Sequence, residues 1–157
     1  MYPVHPAPRT AVLVPWFHES VLTNRPFRVF PHGWGADAAA FTPLAVAGTL
    51  EQLNALARED IPSLTHSIIV LWRPDQHRMS DADRDGLWSA FRVPVFEQVI
   101  GKSGKLLAAE CEAHDGLHVA SPDLPLQGEV LDDSLCPCGR KSSRIGVTHR
   151  AVAAYAR

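Results

Sequence analysis

The residues best suited to do chemistry in this 157-residue chain are its three cysteines, Cys111, Cys136 and Cys138. Cys136 and Cys138 flank a single proline, and the glycine that follows them permits a positive φ, so both thiolates can face one ion. Thiolates are ligands that zinc prefers in structural sites. The pair therefore predicts part of a zinc site, although Cys-x-Cys is a closer spacing than the usual Cys-x-x-Cys.

The remaining ligands of such a site are expected from the segment between Cys111 and His118. The sequence His114-Asp115-Gly116 is typical of a turn between two strands, and such a turn would bring Cys111 and His118 together. His118 is preferred to His114, because a histidine at the tip of a turn is more often solvated. Three thiolates and one imidazole favour a closed, structural zinc site over a catalytic one.

Two other interpretations of these residues stay open. In the first, Cys111 is a small buried hydrophobic residue, and Cys136 and Cys138 lie unligated in a turn. In the second, an exposed Cys-His pair, for example Cys111 with His114, supplies the nucleophile and base of a small enzyme. The odd number of cysteines favours metal binding in a reducing compartment over a disulfide framework.

Length and composition limit the classes of protein. A hydrophobic content of 46% in 157 residues is typical of one globular domain with a core. A net charge of -2 without a basic run argues against a nucleic-acid partner, and the longest apolar runs are too short to cross a membrane. The first residues do not resemble a secretion signal, so we expect a cytoplasmic protein. Three prolines in residues 1–10 predict a flexible arm, and residues 11–157 a single domain.

Helices and strands can be placed around the cysteines. Two pairs of residues have the spacing of a helix capping box: Thr49 with Gln52, and Ser80 with Asp83. The second box starts a helix whose apolar face includes Leu87, Trp88 and Phe91. Ser67–Trp72 is an apolar run typical of a buried strand, and Val93-Pro94-Val95-Phe96 leads into another strand. A strand, a helix and a strand within about 30 residues predict a βαβ unit, and hence an α/β or α+β fold.

The two ends of the domain give weaker signals. Residues 11–48 contain short apolar runs separated by Pro and Gly, which predict only strands and loops. After Gly104, residues 106–111 and 117–120 predict a β-hairpin, and residues 128–131 a third strand. The hairpin and the Cys-Pro-Cys-Gly-Arg turn together form a predicted metal-binding subregion over about residues 105–145.

Several short segments of the chain occur in an order that is also found in a known enzyme family. They are Leu87-Trp88-Ser89-Ala90-Phe91, Val93-Pro94-Val95-Phe96-Glu97-Gln98, Glu110-Cys111, Gly116-Leu117-His118-Val119, Gly128-Glu129-Val130-Leu131, Cys136-Pro137-Cys138-Gly139-Arg140 and Arg144-Ile145. In the order of these segments, the part of the chain from about residue 68 to residue 145 resembles the phenylacetate–CoA ligase branch of the acyl-adenylate-forming (AMP-binding) enzymes. The resemblance implies a zinc site, because some members show such a site at the positions of Cys111, His118, Cys136 and Cys138.

The chain departs from that family where the family's chemistry lies. No Ser/Thr/Gly-rich phosphate loop is found. Where the resemblance implies a Tyr-Gly-x-x-Glu-like motif that helps to hold magnesium and ATP, the chain has Val99-Ile100-Gly101-Lys102-Ser103-Gly104. Only six residues separate Glu129 from Cys136, and we interpret the Arg-Tyr-Arg-x-x-Asp segment, whose aspartate binds the ribose in that family, as deleted here. The family's C-terminal domain with its lysine is likewise not found before Arg157.

Adenylation requires phosphate neutralisation, metal binding and substrate positioning together. The sequence therefore favours a non-catalytic, zinc-stabilised domain that serves as a binding or accessory module. An accessory or regulatory subunit of an acyl- or aryl-CoA ligase-type enzyme is the alternative, and it would require a protein partner. The sequence predicts no particular oligomeric state.

Overall fold

The computed structural model describes residues 7–16, 26–126 and 128–146, which contain eight strands and three helices. The strands, in chain order, are β1 (Thr10–Val12), β2 (Phe27–Val29), β3 (Ala45–Gly48), β4 (Ser67–Trp72), β5 (Val95–Ile100), β6 (Leu106–Glu110), β7 (Leu117–Val119) and β8 (Arg144–Ile145). The helices are α1 (Ala36–Ala40), α2 (Leu50–Leu56) and α3 (Asp81–Phe91).

All eight strands belong to one mixed sheet with the order β2-β1-β3-β4-β5-β6-β7-β8. The first five strands in this order are parallel, and the β5–β6, β6–β7 and β7–β8 pairs are antiparallel. The βαβ unit predicted from the sequence is β4-α3-β5, and the predicted hairpin is β6-β7. The α/β fold class is therefore confirmed.

Both predicted capping boxes form. The backbone N–H of Gln52 donates to Thr49 Oγ1 (3.3 Å), and the N–H of Thr49 donates to Gln52 Oε1 (2.9 Å). Ser80 and Asp83 make the same reciprocal pair at the start of α3. Gln52 also donates from Nε2 to the carbonyl oxygen of Leu13 (2.9 Å), so the first turn of α2 is tied to the segment after β1.

Residues of β4 are buried along the whole strand, as the apolar run predicted. Ile68 and Val70 pack with Leu53 of α2 and Leu87 of α3, whereas Ile69 and Leu71 belong to a separate apolar cluster with strand residues such as Val12. This alternation is the period of two expected for a strand covered on both faces.

Two sequence predictions about apolar residues are corrected. Trp88 was expected on the buried face of α3, but it is 52% exposed and lies under the guanidinium of Arg92 (5.1 Å). Leu87 occupies the buried face, and the next residue of a helix points about 100° away from it. Residues 128–131 do not form a strand. The strand that follows β7 in the sheet is β8, and Asp132 forms one bridge to Arg144.

The predicted N-terminal arm spans residues 1–10, of which residues 1–6 lie outside the described ranges. Thr10 is the first residue of β1, is buried, and pairs with Phe27 and Ala45 on the neighbouring strands. Within the described ranges, the helices are too short and not apolar enough for any of them to span a membrane.

Candidate metal centre

Two tight turns carry the four predicted ligands. The first begins at Cys111, directly after β6, and is closed by the N–H of His114 donating to the carbonyl oxygen of Cys111 (3.0 Å). The chain then returns in β7, where His118 pairs with Ala109. The hairpin therefore places Cys111 and His118 at the same end of the β6–β7 pair, as predicted from the sequence.

The second turn is the Cys-Pro-Cys-Gly-Arg segment. The N–H of Gly139 donates to the carbonyl oxygen of Cys136 (2.8 Å), and Gly139 has a φ of +80°. An L-residue rarely adopts this conformation, whereas glycine does so without steric cost. The glycine therefore permits the tight reversal that points Cys136 and Cys138 toward the first turn.

The ligand atoms of Cys111, His118, Cys136 and Cys138 all lie within 4.8 Å of one another. The Sγ atoms of Cys111 and Cys136 are 3.7 Å apart, and Cys138 Sγ is 3.4 Å from His118 Nε2. A tetrahedral zinc ion with ordinary bond lengths would separate two sulfurs by about 3.8 Å and a sulfur from a nitrogen by about 3.6 Å. The two measured distances match edges of such a tetrahedron, so these residues can bind a metal ion.

The imidazole of His118 is oriented for ligation. Its Nδ1 lies 2.9 Å from Ser142 Oγ and 3.3 Å from the carbonyl oxygen of Ser142. A ring that donates Nδ1–H to this carbonyl leaves a lone pair on Nε2, the atom that faces Cys138. Burial lowers the pKa of His118, and although the bond to Ser142 opposes this shift, the charge of Arg140 adds to it. Neutral imidazole is the form that binds zinc.

The thiols are in unequal environments. Burial raises the pKa of the Cys111 thiol to about 12. Burial also acts to raise the pKa of Cys138, but hydrogen bonds from the Arg140 backbone and from the neighbouring thiols outweigh it and lower that pKa. A cluster of this kind holds one thiolate readily, whereas three thiolates together require a nearby cation.

His114, the alternative ligand, lies outside the cluster. Its Nδ1 is 3.0 Å from Glu110 Oε1, and its ring stacks on Phe96 with centroids 4.9 Å apart. Cys111 is 0% exposed, and its Sγ lies against that of Cys136, whereas the His114 ring contacts Glu110 and Phe96. The hypothesis of an exposed Cys111–His114 pair is therefore wrong.

A buried ionic network behind the metal centre was not predicted from the sequence. Arg84 of α3 donates from Nη2 to Glu97 Oε1 (3.0 Å) and to Glu110 Oε1 (3.1 Å), and both carboxylates are at most 3% exposed. Arg78 Nε also contacts Glu97 (3.3 Å). The only signal in the sequence is a glutamate inside the apolar run Val95–Ile100. Since Glu110 directly precedes Cys111, the Arg84–Glu97–Glu110 network anchors the first turn to α3.

Burial raises the pKa of Glu97, although the charge of Arg78 opposes the shift. The nearby charge of Glu110 raises it further, and that of Arg84 lowers it. Each arginine therefore offsets part of the free-energy cost of burying this carboxylate.

A buried arginine joins the two metal-binding turns. Arg144 donates from Nη1 to Asp115, which follows the first turn. Its Nη2 donates to Asp132 Oδ2 (3.1 Å) and to Ser134 Oγ (2.9 Å), which precede the second turn. We call this group the Arg144 clamp, and it stabilises the relative position of the turns without contributing a metal ligand.

Comparison with known proteins gives a structural similarity only. No family model matches the sequence, and no curated protein matches it. The fold is similar to that of a 2-hydroxyisobutyryl-CoA ligase, solved in an open conformation with 2-HIB-AMP and CoA, with a TM-score of 0.65 and 15% sequence identity. At this identity the similarity shows the fold alone.

The similarity to the ligase covers 90% of this chain but 44% of the ligase, so the chain spans less than half of the ligase's length. The sequence resemblance had covered only about residues 68–145. An acyl-CoA ligase is thus found among the structural neighbours, as the resemblance implied, whereas the phenylacetate branch remains a prediction.

Proposed function

We propose that this chain is a non-catalytic domain on a ligase-type scaffold, in which Cys111, His118, Cys136 and Cys138 bind a structural zinc ion. The observation that carries the proposal is the convergence of three sulfurs and one nitrogen within 4.8 Å. This donor set suits zinc, because soft thiolates and imidazole are its usual protein ligands. With four protein ligands no position remains open for a substrate or water, which favours a structural role.

The turn between β5 and β6 supports the absence of adenylation chemistry. The N–H of Gly101 donates to the carbonyl oxygen of Lys105, and the N–H of Gly104 donates to that of Gly101. This short turn contains Lys102 and Ser103 but no acidic residue at the position where the family resemblance implies a magnesium-binding glutamate. Residues 130–135, between Glu129 and Cys136, likewise contain no arginine.

The exposed surface favours an accessory role in which the domain binds a protein partner. Several large apolar side chains are exposed between β7 and β8: Leu126, Val130, Leu131 and Leu135. Exposed apolar residues in one segment are more typical of an interaction site than of a monomer's surface. A ligase-type enzyme is the proposed partner class, and a reducing cytoplasmic compartment is proposed because all three cysteines are free.

Replacing each of the two histidines by alanine, one at a time, tests which of them is a metal ligand. His118→Ala should reduce the zinc content by more than half, because three thiolates without the imidazole leave the site open to water and to exchange. His114→Ala is the matched control and should retain the wild-type content, because its ring contacts Glu110 and Phe96. Metal content is measured by mass spectrometry on untagged protein. Equal zinc loss in both variants would overturn the assignment of His118, and a metal-free wild-type protein would overturn the site.

The non-catalytic part of the proposal is tested separately with nucleotide. Zinc-loaded protein should show no heat of binding with Mg-ATP in calorimetry and no carboxylate-dependent exchange of pyrophosphate into ATP. Both results are expected because phosphate and metal anchors must act together in adenylation. Saturable Mg-ATP binding, or exchange above a protein-free blank, would contradict the non-catalytic assignment while leaving the zinc site intact.

A further inference from the structure

The three cysteines differ in their access to solvent. Cys111 and Cys136 are buried, whereas Cys138 is only partly buried and lies at the rim of the cluster. A small reagent from solvent therefore reaches Cys138 first. Oxidants modify accessible thiols in preference to buried ones, so Cys138 is the cysteine that a peroxide meets first.

We propose that Cys138 is a site of oxidation by peroxides, and that its oxidation produces a disulfide with Cys111 and releases the metal ion. This inference rests on the zinc site proposed above. It extends that proposal, because a hydroperoxide would then control metal binding by the same residues reversibly.

The reaction has two steps. The Cys138 thiolate attacks a peroxide oxygen; an S–O bond forms, the O–O bond breaks, and the departing alkoxide or hydroxide takes a proton. The Cys111 thiolate then attacks the sulfenic sulfur; an S–S bond forms, the S–O bond breaks, and hydroxide leaves and becomes water. Two thiolates, one hydroperoxide and two protons thus give one disulfide, one water and one alcohol, or a second water in place of the alcohol when the oxidant is hydrogen peroxide. The two sulfurs lose two electrons, and the peroxide gains them.

Cys111 is the cysteine placed to resolve the sulfenic acid. Its sulfur lies within 4.8 Å of Cys138 and interacts directly with that side chain. The two residues belong to different segments, so a link between them does not close a small ring within one turn. A Cys136–Cys138 link would instead close a small ring across one proline, which is a strained arrangement.

The structure around the cluster explains why the oxidised state should remain folded. The Arg144 clamp joins the two turns through Asp115, Asp132 and Ser134, and none of these residues is a metal ligand. The β7–β8 pairing, Leu117 with Ile145, also does not depend on the metal. Loss of two thiolate ligands would therefore release zinc while the hairpin and the second turn stay close, and a thiol reductant can restore the site.

The test treats the zinc-loaded protein with hydrogen peroxide and follows zinc release with a chromogenic chelator. Mass spectrometry of the digest then locates the disulfide. We expect nearly complete release of the bound zinc, a cross-link between the peptides containing Cys111 and Cys138, and rebinding after reduction. His114→Ala should behave as the wild type. In Cys111→Ser the sulfenic acid cannot be resolved, so a 1,3-diketone trap should label Cys138.

If Cys111→Ser does not fold, the same trap is added to the wild-type protein during oxidation, where labelling at Cys138 should reduce the yield of disulfide. Retention of zinc under peroxide, a Cys136–Cys138 link, disulfides only between chains, or trap labelling at Cys136 would each overturn the inference. None of those outcomes would contradict the proposed zinc site. A protein that contains no zinc before oxidation would instead refute the proposed function.

Discussion

Replacing both Cys136 and Cys138 by serine is expected to abolish zinc binding and to lower the free energy of unfolding by about 4 kcal/mol when free zinc exceeds its Kd a thousandfold. Metal that binds only the folded state stabilises that state by mass action. The effect is large because the ion joins the turn after β6 to the second turn, which are 25 residues apart in the chain. Zinc content and denaturant unfolding of the wild type and the variant measure it.

A strong chelator provides the matched control for this comparison. With zinc removed, the wild-type protein should lose most of its advantage over the serine variant, because the metal and not the thiol packing provides that advantage. The domain should remain folded, since its core is formed by the strands and helices on either side of β4. An advantage that persists in chelator would show that the cysteines act through packing alone.

The elements predicted best from the sequence are those with a local signal. The Thr49–Gln52 and Ser80–Asp83 boxes specify where α2 and α3 begin, and both are present. The buried strand β4 contains a run of five apolar residues, 68–72, which is sufficient by itself to indicate a buried strand. In each case residues close together in the sequence determine the local structure, so the sequence alone predicts it without the tertiary fold.

The strand predicted at residues 128–131 shows why local sequence signals are insufficient at the edge of the sheet. Val130 and Leu131 have the composition of a strand, but Val130 is 84% exposed and no described strand pairs with this segment. A strand requires a partner that provides hydrogen bonds, and β-propensity depends on that partner. On the side of β7 away from β6, the neighbouring strand is instead the two-residue β8, whose Arg144 carries little strand signal.

The candidate site was predicted more completely than the network behind it. The cysteines and His118 could be grouped because metal ligands have a restricted chemistry and a hairpin brings them together. The Arg84–Glu97–Glu110 network joins three elements whose relative position depends on the sheet order β4-β5-β6. Nothing in the sequence near Arg84 specifies that order, and a buried ion pair has no sequence motif.

Arg84→Met is expected to destabilise the protein by about 3 kcal/mol, because it leaves Glu97 and Glu110 buried without their shared cation. We place the value at the low end of the range for buried pairs, since a quarter of the Arg84 side chain is exposed and Arg78 still contacts Glu97. Methionine retains much of the volume and the apolar stem. The free energy of unfolding from denaturant titration measures the change.

The matched control removes the same charge from the surface. Lys105→Met breaks the pair with Asp123, whose two side chains are both exposed, and should cost less than about 0.5 kcal/mol. A similar loss of stability in both variants would indicate that net charge, and not burial of the carboxylates, determines the result.

The pH dependence of the Arg84→Met effect distinguishes electrostatics from packing. Burial raises the pKa of Glu97 in the folded protein, and loss of Arg84 removes an interaction that lowers this pKa. The folded state of the variant therefore takes up a proton at a higher pH than the unfolded chain does, so its relative stability improves as the pH falls. The deficit measured at neutral pH should therefore shrink as the pH falls toward the ordinary pKa of glutamate. A deficit that does not change with pH would assign the role of Arg84 to packing and to its hydrogen bond with the carbonyl oxygen of Val95 (2.5 Å).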